Sequence, residues 1–177
     1  MNFFIRLAKP TDLEQYTNLL QQTYEFTYTN AEIGLIKECF SPQVFNTPDS
    51  QKYLSSKLIN SHHQKTWLVF DDKKLIASAT CKIIDENKAE FSGFYVLPDY
   101  QHQGIGKKLY QKVLNFAQNK DLILGIYTHN INTLQIYKKW GWQIDPSRGE
   151  NGYVTGHWPE WPDGVIAKSV YLILKRK

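Results

Sequence analysis

The chain has 177 residues, a length that fits one domain, and its 42% hydrophobic and 14% aromatic content can build a core, which excludes a mainly disordered chain. Lys and Arg outnumber Asp and Glu 21 to 17, a net +4 that is scattered except at Lys107-Lys108 and Lys175-Arg176-Lys177, so nucleic acid is not an expected partner. No apolar run approaches the roughly 20 residues of a membrane span, and the two cysteines, Cys39 and Cys81, form no C-x-x-C pair, which excludes a disulfide framework and a zinc site.

Met1 to Arg6 lacks the basic-then-apolar layout of a signal peptide, so a cytoplasmic protein is expected, and residues 3–7 read as an opening strand. Thr11-Asp12-Leu13-Glu14 reads as a capping box for a helix to about Thr23. Residues 24–47 have little period and are expected to be irregular or broken helix; Pro48 restarts a helix through Leu58. Thr66–Phe70 and Leu75–Ile84 read as a hairpin about the turn at 71–74, followed by a strand from Ala89 to Leu97. From Gly104 a helix should carry Ile105, Leu109, Val113 and Phe116 on one face. Leu122–Thr128 reads as a buried strand, Asn132 as the cap of a helix ending at Gly141, and Trp142–Ile144 and Val165–Leu174 as closing strands, giving one α+β unit over residues 1–177.

The segment Tyr95-Val96-Leu97-Pro98-Asp99-Tyr100-Gln101-His102-Gln103-Gly104-Ile105-Gly106-Lys107 runs from a strand through a glycine-bearing turn into a helix. Free N–H groups at a helix start make an anion site, and Gly104 and Gly106 let phosphate oxygens approach the backbone. Leu109 stands where a dinucleotide fingerprint needs its third glycine, and Gln101 and Lys108 break the Walker pattern.

Val96-x-Pro98-x-x-Gln101-x-x-Gly104-x-Gly106 after a fourth strand, with Asn130, six residues, then Tyr137-Lys-Lys-x-Gly141-Trp142, closely resembles the GNAT superfamily of acyl-CoA-dependent N-acyltransferases. The motifs lie within about residues 66–144, and the order of elements fits over the whole chain. The resemblance implies a mixed, mostly antiparallel central sheet flanked by helices, with the fourth and fifth strands splayed for acetyl-CoA. It also implies that the backbone at His102, Gln103, Gly104, Ile105, Gly106 and Lys107, behind Gln101, cradles the coenzyme A pyrophosphate. Phe94, Tyr95 and Val96 would then pair by main chain with the pantetheine, and Asn130 would hydrogen-bond that arm. Gly93 would mark the bulge that opens the sheet, and Lys107, Lys108 or Lys112 would meet the 3′-phosphate.

By the same resemblance Tyr137 is the general acid, and Glu90, 11 positions before Gln101, is the base. A tyrosine titrates near 10 and a thiol near 8.5, so outright proton transfer from an ordinary tyrosine to the departing thiolate is uphill by roughly 2 kcal/mol. His62-His63 have no third ligand at metal spacing and no metal is expected; His129 is a weaker candidate for the acyl site and Cys81 reads as core. Tyr24, Phe26 and Tyr28 with Glu25 and Glu32 are expected to wall a site for a cationic amine. Residues 148–164 read as a long loop whose Trp158 and Trp161 cover that site or a subunit contact, which leaves a homodimer open. The expected reaction is acetyl transfer from acetyl-CoA to a small primary amine such as a polyamine, by direct attack in a ternary complex. A peptide N-terminus is the alternative acceptor, and a non-catalytic acyl-CoA sensor the alternative class.

Overall fold

The computed structural model describes residues 3–157, 161 and 164–176. Eight strands form one sheet: β1 (Phe3–Leu7), β2 (Gln64–Asp71), β3 (Lys74–Ile83), β4 (Lys88–Val96), β5 (Asp121–Tyr127), β6 (Gln143–Ile144), β7 (Tyr153–Gly156) and β8 (Ala167–Leu174). Their spatial order is β1-β2-β3-β4-β5-β8-β6, with β7 also paired to β8. Every pairing is antiparallel except β4 with β5. The helices are α1 (Leu13–Tyr28), α2 (Pro42–Phe45), α3 (Pro48–Lys57), α4 (Ile105–Ala117) and α5 (Ile131–Lys139).

Strand β3 is buried along nearly its whole length, which is why it reads as a continuous apolar and small-residue run rather than an alternating one. Helix α4 packs on β3 through Ile105, Leu109, Val113 and Ala117, all buried, while Phe116 sits edge-on to Trp67 at 5.8 Å. The same helix leaves Gln111 and Asn115 outside, bonded to each other at 2.8 Å, so the period of the sequence and the face that is buried agree.

Several boundaries differ from the sequence reading. Helix α1 continues to Tyr28 because its last turn is held by tertiary contacts, with Tyr24 edge-on to Phe45 at 5.4 Å and Tyr28 edge-on to Tyr127 at 5.0 Å. Its start is built around Asp12 rather than Thr11 and Glu14. The Asp12 carboxylate accepts the Lys9 N–H at 2.7 Å and a two-pronged pair from Arg6, both contacts at 2.7 Å. Asn130, not Asn132, caps α5, its Oδ1 accepting the Thr133 N–H at 3.4 Å. The stretch 148–164 is not structureless: β7 lies inside it, paired with β8.

Asp12 is buried, and the Arg6 guanidinium beside it holds its carboxyl below the usual carboxylate range. Its contribution to stability is therefore present above the ordinary Asp pKa and lost as pH falls through the depressed value. Asp12→Ala should cost about 1–3 kcal/mol at neutral pH, since it also strands Arg6 and the Lys9 amide. Urea denaturation at pH 7 and pH 3 checks this, with the gap between variant and wild type narrowing in acid.

Candidate active site

The site begins where β4 and β5 part. The two strands pair only over Lys88–Glu90 and Asp121–Ile123, at one end of each. The cause lies on the other side of β4, where Thr80 faces Ser92 but Ser78 faces Tyr95, so β4 carries one extra residue. Gly93 supplies that bulge with φ +59°, and its carbonyl accepts a hydrogen bond from Ser78 Oγ at 2.7 Å. A Cβ there would lie 3.1 Å from Thr80 Oγ1 and 3.2 Å from the Tyr16 hydroxyl, both in the core. The bulge turns β4 away from β5 and leaves a slot between them, as the sequence reading of Gly93 anticipates.

Two cavities meet at this slot and share Tyr28, Ser92, Gly93, Tyr95 and Gly125 in their walls. The first, about 350 Å³, opens toward the glycine loop and α5. It is lined by Phe94, Tyr95, Val96, Gln101, His102, Gly104, Ile105, Gly106, Lys107, Asn130 and Tyr137. Gln103 follows the same turn, its side chain donating to the Asp99 carbonyl at 3.1 Å, while Gln101 donates to the Val96 carbonyl at 3.2 Å. His102 and Gly104 both take positive φ, +60° and +79°, to bring the chain round into α4. The first α4 bond closes from the Lys108 N–H to the Gly104 carbonyl at 3.2 Å, and no side chain caps the helix. The amides of Ile105, Gly106 and Lys107 precede that bond and so have no partner within the helix, and all three residues line the cavity. A Cβ on Gly104 would meet nothing within 4 Å, while one on Gly106 would press on Phe94 at 3.3 Å. These residues fit a diphosphate: free amides at a helix start, open space in front of them, and no acidic side chain in the first turn.

Tyr137 is buried in this cavity's wall, edge-on to Phe91 at 6.3 Å and to Trp142 at 5.4 Å. Burial, with the Tyr28 and Tyr110 hydroxyls nearby, pushes its hydroxyl well above the ordinary tyrosine range. It is therefore a protonated donor at any working pH, and a weaker acid than an exposed tyrosine.

The second cavity, about 470 Å³, opens toward α3 and the β7–β8 hairpin. Tyr24, Tyr28 and Glu90 line it, with Glu90 half-buried between the buried Ala89 and Phe91. Tyr95 joins the two sides, its hydroxyl 3.1 Å from that of Tyr28 and its ring 5.0 Å from Tyr24. Burial raises all three tyrosines above their ordinary range, so this cluster too is neutral.

Other expected members lie elsewhere. Phe26 is 64% exposed, Glu25 pairs with Lys37 at 3.5 Å, and Glu32 sits in a one-turn helix at 31–33; none of them lines either cavity. Helical spacing explains this, since Tyr24 and Tyr28 share a face that Glu25 and Phe26 do not. Trp161 is buried against Tyr127, ring centres 5.9 Å apart, so it packs over the sheet. Trp158 lies outside the described residues. Cys81 is fully buried, and burial with the Glu90 charge pushes its thiol up to about 12, which fits a core residue. His129 stacks on Tyr127 at 5.4 Å and lines neither cavity, and burial lowers its pKa. Of the basic tail, Lys175 is held by Asp121 at 2.7 Å. Among the described residues no group of His, Cys, Asp and Glu has the arrangement of a metal site, and no helix is long and apolar enough to cross a membrane.

The sequence reading missed Tyr53, Arg148 and Tyr171, which also line the second cavity. Arg148 stands with its guanidinium 4.0 Å from the centre of the Tyr171 ring. No local pattern marks these positions, because the β7–β8 register and the return of α3 bring them in.

The family model for the acetyltransferase (GNAT) family matches residues 17–142, and the chain belongs to that family. It is an N-acetyltransferase of the family, with the family's mixed sheet and its single parallel pair, β4 and β5. A spermidine N(1)-acetyltransferase of Thermoplasma acidophilum is 26% identical over 157 residues, covering 85% of this chain and 94% of the relative. Among solved structures, a PaiA N-acetyltransferase from the same organism, in complex with coenzyme A, superposes with TM-score 0.72 at 23% identity over 100% of both chains. A spermidine N-acetyltransferase from Vibrio cholerae, in complex with CoA and spermine, gives TM-score 0.66 at 18% identity over 98% of this chain and 95% of that one.

Proposed function

We propose that the chain, as one catalytic unit over residues 1–177, transfers the acetyl group of acetyl-CoA to a primary amine of a small cationic molecule, with a polyamine as the leading acceptor. The observation that carries this reading is the slot where β4 leaves β5, with uncapped helix amides at one mouth and a carboxylate, Glu90, at the other. Acetyl-CoA supplies an activated thioester carbonyl. The amides of Gly104 to Lys107 hold its diphosphate, and the free edge of β4 at Phe94, Tyr95 and Val96 pairs with the pantetheine. Asn130 spends its Oδ1 on its own helix, which leaves its Nδ2 to donate to the arm.

On the acceptor side Glu90 takes the amine's proton, directly or through a water, since an amine of pKa near 10.4 is almost wholly protonated at neutral pH and cannot attack. The neutral nitrogen then forms the new C–N bond and the C–S bond breaks; the second proton, shed by the nitrogen as it becomes an amide, passes through water to the departing sulfur, to which Tyr137 donates a hydrogen bond. A β4 amide facing the slot stabilises the carbonyl oxygen as it gains charge. The tyrosines of the second cavity suit a cation by their ring faces. The spermidine acetyltransferase relatives support the polyamine class.

Release of CoA thiol across polyamines, amino acids, aminoglycosides and short peptides tests the reading, and turnover of none of them would overturn it. Gly104→Leu, run alongside, sets its Cβ where no protein atom lies within 4 Å and costs about 1–2 kcal/mol of left-handed backbone strain, so the fold should survive. Its side chain stands where the phosphates approach, and loss of one charge-assisted contact or two should weaken CoA binding about 10- to 100-fold by calorimetry. Unaltered affinity would remove the cradle.

A further inference from the structure

Beyond the acceptor cavity lies a third one, of about 310 Å³, sharing Tyr24, Tyr53 and Tyr127 with it. Its remaining wall is almost wholly apolar, with Phe40, Val44, Phe45, Leu54 and Trp161, and one charged residue, Asp49, in the first turn of α3. Among the described residues neither Asp49 nor Arg148 has an oppositely charged side chain within 4 Å. The acceptor side therefore carries a fixed pattern of charge. Glu90 and Arg148 line the second cavity, and Asp49 lies past a screen of tyrosines.

We propose that the third cavity is the subsite for the remote arm of a diamine or polyamine acceptor, with its methylenes among the aromatic walls and its far ammonium on Asp49. The proposal rests on the amine-acetyltransferase reading above and names how one class of amine is chosen. An ammonium group is repelled by the Arg148 guanidinium, held over Tyr171, and this closes the β7–β8 side of the acceptor cavity to the far end of a polycation. The direction left open to a flexible chain is past Tyr24 and Tyr53. There, apolar surface takes the methylenes, the ring faces favour cations, and the next available carboxylate is Asp49. An acid in the first turn of α3 is also favoured by the helix dipole whatever it faces, but that role bears on stability and not on the choice between amines.

The test compares 1,6-diaminohexane with hexylamine, which share a chain and differ at the far end. Wild type should favour the diamine in KM, and Asp49→Asn should cut that preference roughly two- to fivefold, the scale of an exposed ion pair. Asp49→Glu should restore most of it. Val44→Trp, which narrows the cavity, should raise KM for both long amines relative to ethylamine. Calorimetric titration of the CoA-saturated protein with the same amines reads the subsite without turnover. If no amine is acetylated, the amine-transfer reading fails while that titration still decides on the subsite. Equal affinity for diamine and monoamine in wild type, or a preference unmoved by Asp49→Asn, would overturn the proposal.

Discussion

Tyr137→Phe should lower kcat about 100-fold while leaving KM for acetyl-CoA and the melting temperature close to wild type. The hydroxyl is lost from an aromatic nest of Phe91, Trp140 and Trp142 that packs equally well on a phenyl ring, so folding changes little. Burial raises the hydroxyl's pKa, so full proton transfer to a thiolate of ordinary pKa is uphill by more than the 2 kcal/mol of an exposed tyrosine. In the proposed reaction Tyr137 therefore donates a hydrogen bond as charge grows on sulfur, and the thiolate takes its proton from the attacking nitrogen by way of water. The group stays neutral to well above pH 10, so the fall in kcat should be the same at pH 6.5 and pH 9. A loss confined to one limb of the pH profile would assign titration to another group, and an unchanged kcat would remove the role.

Gly93→Val should destabilise the protein by about 2–4 kcal/mol and abolish the thermal shift given by CoA. Two causes add. A β-branched residue is strained at φ +59°, and its Cβ would press on Thr80 Oγ1 and the Tyr16 hydroxyl. Thr80 cannot give way freely, since its Oγ1 is bonded to Thr66 Oγ1 at 2.9 Å inside the sheet. Relief requires the bulge to flatten, which draws β4 back toward β5 and closes the slot. Urea denaturation reads the first effect and CoA titration the second. A variant within 0.5 kcal/mol of wild type would show that the bulge does not depend on glycine.

The parts of the molecule legible in the sequence are those whose physics is local. The run from Tyr95 to Lys107 announces a strand, a turn that needs glycine and a helix start, and each is found at its expected place. The face of α4 follows from the period of Ile105, Leu109 and Val113. What was missed depends on partners distant in the chain. Thr11 and Glu14 match a capping pattern, yet Arg6 reaches Asp12 from β1 and sets the helix start there. Residues 24–28 look aperiodic, yet rings from α2, β4 and β5 hold them helical. The strand at 153–156 has no apolar alternation because three of its four residues are exposed, and Arg148, in the turn before it, is brought to the second cavity by the pairing of that strand with β8. The loop-side residues thus stand together in one short stretch, while of the second cavity's wall Tyr24, Tyr28 and Glu90 were read and Tyr53, Arg148 and Tyr171, brought in by α3 and the last hairpin, were not.

Trp140 lines the first cavity, stacked on Tyr110 with ring centres 4.4 Å apart, and Trp161 lines the third. Each of these two cavities is thereby furnished with its own intrinsic fluorophore. In variants where phenylalanine replaces four of the five tryptophans, leaving only Trp140 or only Trp161, emission from the remaining indole becomes a label-free gauge of which chamber fills first, and the order of substrate addition becomes an optical observable.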